Sequence, residues 1–193
     1  MRIVNYPHPT LRHKSKPLRK VDHELVNIVR GMFDLMYEHN GIGLAANQVD
    51  LPYRLFVLNL DSDPDQKEAE YVFINPEIVE RKGMAEGEEG CLSFPELYAP
   101  VRRPEKVVMT AYNLSGQEIR YQLDGLFARA AQHELDHLDG ILFVDRLTPA
   151  GRLEVKLALA DFERAFEGDR DRGLIPADAS MAARLAELEQ LRT

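Results

Sequence analysis

With 193 residues, 45% of them hydrophobic and 29% charged, the chain is long enough for one domain with a substantial core, and its composition excludes a disordered or fibrous protein. A formal net charge of −8 argues against a main task of gripping nucleic acid, and the single cysteine, Cys91, excludes an internal disulfide framework. No apolar run approaches the ~20 residues of a membrane span, and the opening MRIVNYPHPTLRHKSKP lacks the apolar centre of a signal peptide. A cytoplasmic protein with neither DNA nor a membrane as partner is expected, its lone thiol kept reduced.

The first twenty residues, rich in Pro and basic side chains, predict an extended arm over the surface. Asp22 opens a helical pattern in which Leu25, Ile28, Val29, Met32, Phe33, Leu35 and Met36 recur at the helix period, and Asn40-Gly41 closes it. GIGLAANQV reads as a small-residue loop. RLFVLNL (54–60) and YVFINPEIVE (71–80) predict strands, separated by the acidic loop DSDPDQKEAE (61–70). The glycine-rich RKGMAEGEEG (81–90) predicts an exposed turn leading into CLSFP. KVVMTAYNL (106–114) and QEIRYQL (117–123), joined through Ser115-Gly116, predict a hairpin. Helical pattern resumes after Asp124-Gly125 and stops at Gly140, and a last helix starts near Thr148-Pro149-Ala150. Residues 1–168 are expected to form one domain, and 169–193 a polar, alanine-rich tail able to form a short helix. Strands and helices without strict alternation predict an α+β fold, with antiparallel or mixed sheets packed around the central helix 125–139 and a C-terminal helix outside it.

That central helix carries the chemistry. QHELDHLDG places His133, Glu134 and His137 in an H-E-x-x-H pattern, and residues four apart share a helix face, so both imidazoles can reach one ion. Glu134 lies beside them, able to act as a general base. Leu126, Phe127, Ala130 and Leu138 fall on roughly the same stripe, which turns the pair inward. The longer H-E-x-x-H-x-x-G-x-x-H pattern fails at its last position, where Phe143 stands, so a third protein ligand must come from elsewhere. Glu154 and Glu163 on the last helix would make a metallopeptidase; Asp139 and Asp145 are closer in sequence; Cys91, in EEGCLSFP, would complete a soft-to-borderline set suited to Zn²⁺ or Fe²⁺. A metal-binding module without activity is a further reading, but it leaves Glu134 without a purpose. In GIGLAANQ, two glycines and two alanines clear room for backbone amides to approach a bound chain, and Gln48 offers an uncharged donor; no Lys-Ser/Thr follows, so it is not a phosphate loop.

GIGLAANQ, EEGCLSFP and QHELDH, in that order, resemble the three motifs of peptide deformylases, and the resemblance runs from the PHPTLRHKSKP arm to about Leu147. It implies an enzyme that removes the formyl group from the N-terminal formyl-methionine of nascent polypeptides, releasing formate. It implies that Cys91, His133 and His137 hold one divalent ion, Fe²⁺ in the cell, with Zn²⁺, Ni²⁺ or Co²⁺ able to substitute. Glu134 becomes the proton-transferring group, and Gln48 and the backbone N–H of Leu92 the donors to the developing oxyanion. Gly43 begins the stretch whose backbone holds the formyl-peptide, and Glu89 orients His133. Arg103, in APVRRPEKV, matches the family's arginine there and is expected on the substrate side. A narrow pocket near Gly43 and Leu44 would admit only a small acyl group, and Leu126, Phe127, Ala130 and His133 would receive the methionine side chain. Some members dock on the ribosome through a basic C-terminal helix. Here Asp161, Glu163, Glu167, Asp169, Asp171, Asp178, Glu187 and Glu189 face only Arg164, Arg170, Arg172, Arg184 and Arg192, and negative charge opposes RNA contact.

Overall fold

Asp22 begins the first helix as expected from its short acceptor side chain: its carboxylate accepts the Leu25 N–H at 3.0 Å and α1 runs His23–Glu38. The computed structural model describes residues 1–193. After α1 come β1 (Gly43–Ala45), β2 (Leu55–Leu58), β3 (Tyr71–Lys82), β4 (Ala85–Cys91), β5 (Phe94–Arg103), β6 (Lys106–Tyr112) and β7 (Glu118–Asp124). The helices α2 (Gly125–Leu138), α3 (Pro149–Asp171) and α4 (Asp178–Arg192) follow. Five strands form one sheet in the order β1-β2-β3-β6-β7, antiparallel throughout, and β4 and β5 form a separate antiparallel pair. The fold is therefore α+β.

Period-two alternation sorts the sheet's side chains onto two helices. Leu44, Leu55, Val57 and Ile74 join Val29, Met32 and Met36 of α1 in one core. Ala45, Phe56, Leu58 and Phe73 point the other way and pack on Ala128, Ala131, Leu135 and Leu138 of α2. Because both faces are covered, β2 reads as a continuous apolar run. A third core joins β5 to α3, with Phe94 edge-on to Phe143 and Phe162 at centroid distances of 5.3 and 5.9 Å. α3 itself starts where Thr148 accepts the Gly151 N–H at 3.1 Å, with Pro149 in its first turn.

Three stretches differ from the sequence expectation. GIGLAANQV is not irregular: Gly43–Ala45 is the edge strand β1, and Ala46–Val49 a 3₁₀ turn. RKGMAEGEEG is not an exposed turn: it completes β3 and supplies β4, whose glycines leave room for neighbours, since a Cβ at Gly87 would come within 3.0 Å of the Arg129 guanidinium. The first residues do not merely wrap the surface. Val4, Leu11 and Leu18 are buried, and Asn75, in a left-handed conformation at a bulge of β3, accepts the Leu18 N–H and donates to the Leu18 carbonyl, both at 2.8 Å. Residues 169–193 comprise the end of α3, a short link and α4, which buries Met181 and Leu185. No helix is long and apolar enough to cross a membrane.

Candidate active site

The site lies where α2 passes under β1 and beside the β4–β5 turn. His133 and His137, one helical turn apart, place their rings 5.1 Å apart on one face. Cys91, the last residue of β4, brings its Sγ to 3.3 Å from His137 Nε2. One ligand atom from each of Cys91, His133 and His137 lies within 4.8 Å of the others, and no other group of three His, Cys, Asp or Glu side chains converges in this way. The other candidate ligands are occupied or remote. Glu154 is exposed, Glu163 accepts the Tyr6 hydroxyl at 2.8 Å, Asp139 pairs with Arg54 at 2.8 Å, and Asp145 binds Arg12 and the Leu142 N–H.

Two buried polar atoms have no protein partner, Glu134 Oε2 and His137 Nδ1. Buried groups are almost always hydrogen-bonded, so an unpartnered carboxylate oxygen beside three converging donors marks a place built for something that binds. A thiolate and two imidazoles suit Zn²⁺ or Fe²⁺, and three protein ligands leave a position for a reactant. The residues fit a divalent metal centre.

Glu134 owes its position to a missing side chain opposite. A Cβ on Gly43 would stand 2.6 Å from Glu134 Oε1 and 2.7 Å from Leu58 Cδ2, so only glycine lets the carboxylate seat against β1. Burial pushes the Glu134 carboxyl up to about 7, with the nearby charges of His133 and Arg103 only partly opposing it. The two imidazoles diverge. Burial disfavours a charge on His133, but hydrogen bonds with Cys91 and Glu89 raise it well above its ordinary value; burial, then repulsion from His133 and Arg103, takes His137 well below. A divalent ion and a proton compete for the same ring lone pair.

Behind the ligands lies a charged network. Glu89 meets His133 Nδ1 at 3.0 Å and accepts from Arg103 Nε at 2.6 Å and Arg129 at 2.7 Å. Burial alone would raise the Glu89 carboxyl, yet the hydrogen bonds from His133 and Arg103 hold it far below the usual carboxylate range. Arg103 is 2% exposed and is not on the wall of the cleft: its guanidinium is shared between Glu89 and Asp136, the latter at 2.7 Å. Its expected place on the substrate side is therefore replaced by one beneath the metal ligands. Asp136 also takes Arg146, and Arg129 donates to the Val101 carbonyl at 2.9 Å. Sequence reasoning did not single out Arg129, Asp136 or Arg146; the one available signal for Asp136 was its place within HELDH, three residues after His133.

Gln48, 1% exposed, is aimed by the backbone at the end of β1: Oε1 accepts the Ala45 N–H at 2.8 Å, which turns Nε2 to 3.4 Å from both Cys91 Sγ and Ser93 Oγ. Leu92 sits in the turn between β4 and β5, and its N–H donates to no protein acceptor. A cleft of about 720 Å³ opens above these groups, lined among others by Ile42, Gly43, Leu126, Ala130, His133 and Glu134. Leu126 is 55% exposed at its mouth rather than interior. Phe127 faces away, edge-on to Tyr71 at 4.8 Å within the sheet core, and Leu44 is buried against α1.

The family model of polypeptide deformylases matches residues 1–153. The chain belongs to the peptide deformylase family. It is 46% identical over 191 residues to a peptide deformylase of Rhodopirellula baltica, covering 99% of this chain and 94% of that one, and 45% identical to one from Neisseria gonorrhoeae over 81% and 93%. Among solved structures, a peptide deformylase from Plasmodium falciparum superposes with a TM-score of 0.84 at 40% identity, covering 86% of this chain and 98% of that one. Peptide deformylase 1B of Arabidopsis thaliana gives 0.84 at 40% identity over 92% and 97%. Deformylases are metal-dependent hydrolases that remove N-formyl groups from nascent polypeptides, and the converging Cys91, His133 and His137 are able to hold a divalent metal.

Proposed function

We propose that Cys91, His133 and His137 hold one divalent ion, Fe²⁺ in the cell with Zn²⁺, Ni²⁺ or Co²⁺ able to replace it, and that Glu134 carries the proton in deformylation of N-formyl-methionyl chains in the cytoplasm. The observation that carries this reading is the convergence of three ligand atoms within 4.8 Å beside the unpartnered Glu134 Oε2. When bound, such an ion supplies Lewis acidity, making water acidic enough to serve as a nucleophile near neutral pH.

The remaining tasks fall to this chain's own groups. A carboxyl raised to about 7 can take a proton from water and return it to the leaving methionine amine without a large penalty either way. As the formyl carbon becomes tetrahedral its oxygen gains charge, and Gln48 Nε2 and the Leu92 N–H are the donors to it; each such donor contributes ~10²–10³ in rate. Glu89 fixes the His133 ring through Nδ1, and Arg103 and Arg129 hold Glu89. Gly43 lines the wall along which the formyl end lies, while Leu126 and Ala130 offer apolar surface to the methionine side chain. Every group named falls within residues 1–168, which we assign as the catalytic unit. The acidic tail 169–193 is not assigned a ribosome-docking role.

Metal analysis of two variants tests the assignment. Cys91→Ala is expected to lose both ion and turnover, whereas Glu134→Ala keeps one ion per chain and loses about 10²–10⁴ in rate. Full metal occupancy in Cys91→Ala would remove Cys91 from the ligand set, and retained turnover in Glu134→Ala would remove Glu134 from its role.

A further inference from the structure

The two oxyanion donors lie 44 residues apart in sequence, on segments that do not pair with each other in a sheet: Gln48 follows β1, and Leu92 joins β4 to β5. The direct hydrogen bonds between these segments are the long contacts of Gln48 Nε2 with Cys91 Sγ and Ser93 Oγ, both 3.4 Å, which leaves room for a third element to set their spacing. The N-terminal arm touches both. The Val4 N–H donates to the Gln48 carbonyl at 2.8 Å, and two residues later the Tyr6 N–H donates to the Ser93 carbonyl at 3.0 Å. The Tyr6 ring stacks on Phe94 at 5.0 Å, which holds the second attachment in place.

The arm is fastened again next to Gln48. Asn47 is fully buried and uses its whole carboxamide on arm residues: Nδ2 donates to the Thr10 carbonyl at 3.2 Å and the His13 carbonyl at 2.7 Å, and Oδ1 accepts the Ser15 hydroxyl at 2.8 Å. Asp50, two residues beyond Gln48 and in a left-handed conformation, accepts from the Thr10 hydroxyl and from Arg184 of α4. The 3₁₀ turn that presents Gln48 thus touches the arm on both sides and through its own carbonyl.

We propose that residues 4–15 form a strap that fixes the distance between the two oxyanion donors, and that Asn47 is the positioning residue that fastens it. This rests on the reading of Gln48 and the Leu92 amide as those donors. Asn47 does not line the cleft and precedes Gln48 in the same 3₁₀ turn, so Gln48 is the donor its loss moves first. Its loss displaces a donor that acts only on charge appearing in the transition state. Turnover should therefore suffer and substrate binding should not.

The test is a double-mutant cycle on the metal-loaded, full-length enzyme with a formyl-methionyl peptide. Asn47→Ala is expected to lower kcat about 10–100-fold, as a displaced donor does, with KM within about 3-fold and metal content unchanged. In a Gln48→Ala background the same substitution should cost less than about 2-fold, because the group it positions is gone. Equal losses in both backgrounds, or no loss of kcat in Asn47→Ala, would overturn the proposal. If Gln48→Ala itself leaves kcat unchanged, the donor reading fails first, and the strap fails with it. Should Asn47→Ala not fold, Ser15→Ala removes only the hydroxyl that Asn47 Oδ1 accepts; the same cycle then expects a loss of about 3–10-fold in the Gln48 background and none in Gln48→Ala.

Discussion

At Gly43 the site depends on the absence of one carbon. A methyl group there would press on Glu134 Oε1 and Leu58 at once, and Leu58 is packed in the core between β1 and α2, so the carboxylate is the part that moves. Gly43→Ala is expected to lose about 10²-fold in kcat/KM, the cost of a displacement near 1 Å, while retaining its ion. Steady-state kinetics with metal analysis checks this, and unchanged kinetics would mean the carboxylate has room to yield. Arg103 makes the complementary case for charge. Arg103→Ala leaves Glu89 and Asp136 buried with fewer partners and is expected to cost about 3–5 kcal/mol in a denaturant melt, since an uncompensated buried charge is the expensive state. A loss under about 1 kcal/mol would show that Arg129 and Arg146 suffice.

The pairing of His133 with His137 was legible in the sequence because helical spacing fixes which side chains share a face. Cys91 came from the family resemblance, since the residues alone left Glu154, Glu163, Asp139 and Asp145 open, and its Sγ does converge with the two imidazoles. Arg129, Asp136 and Arg146 were not legible, because which of many arginines meets which carboxylate depends on where β4 and β5 lie over α2. Arg103 was read as touching substrate for the same reason: its position in the chain could be matched, but not the direction in which its side chain is buried.

Among the elements, helices were read well and short strands poorly. Asp22 and Thr148 marked the starts of α1 and α3 through capping chemistry, which is local, and Gly140, left-handed just past α2, marked the end of that helix. β1 and β4 are rich in Gly, Ala and Glu, and their strand state comes from pairing with β2 and β5, a pairing that no local pattern in β1 or β4 announces. α4 shows how an element outside the matched residues 1–153 is attached. Glu189 accepts from Lys16 at 2.7 Å and meets His13 at 2.8 Å, and Arg192 donates to Asp22 at 2.9 Å and to Glu24. Burial raises Glu189, but the hydrogen bonds from Lys16 and His13 outweigh it and leave the carboxyl below its ordinary 4.5. A depressed folded value means the stabilisation is fully present above the unfolded value and is lost as pH falls through the folded one. The Leu25 amide first, and Arg192 next, depress Asp22 in the same direction. Protection factors over 178–192, with the intrinsic slowing of amide exchange at low pH divided out, should therefore be high at pH 6 and fall as pH drops below about 4.5, more than in α2. An equal loss of protection in both helices would mean α4 does not come away separately.

For the whole molecule, the metal centre joins three parts: α2 supplies two imidazoles, the β4–β5 pair the thiol, and β1 with its 3₁₀ turn the groups facing them. An ion bound only by the folded arrangement stabilises it by mass action. Chelation is expected to lower Tm, and adding back a divalent ion to restore it; an unchanged Tm on verified removal would mean the parts hold each other without the ion.

The most direct test is product analysis on a formyl-Met-Ala-Ser peptide, with enzyme purified without oxygen and supplied with Fe²⁺ or Ni²⁺. Formate in equal amount to intact Met-Ala-Ser is the predicted result. Cleavage at an internal peptide bond, or no product from the metal-loaded enzyme, would contradict the account.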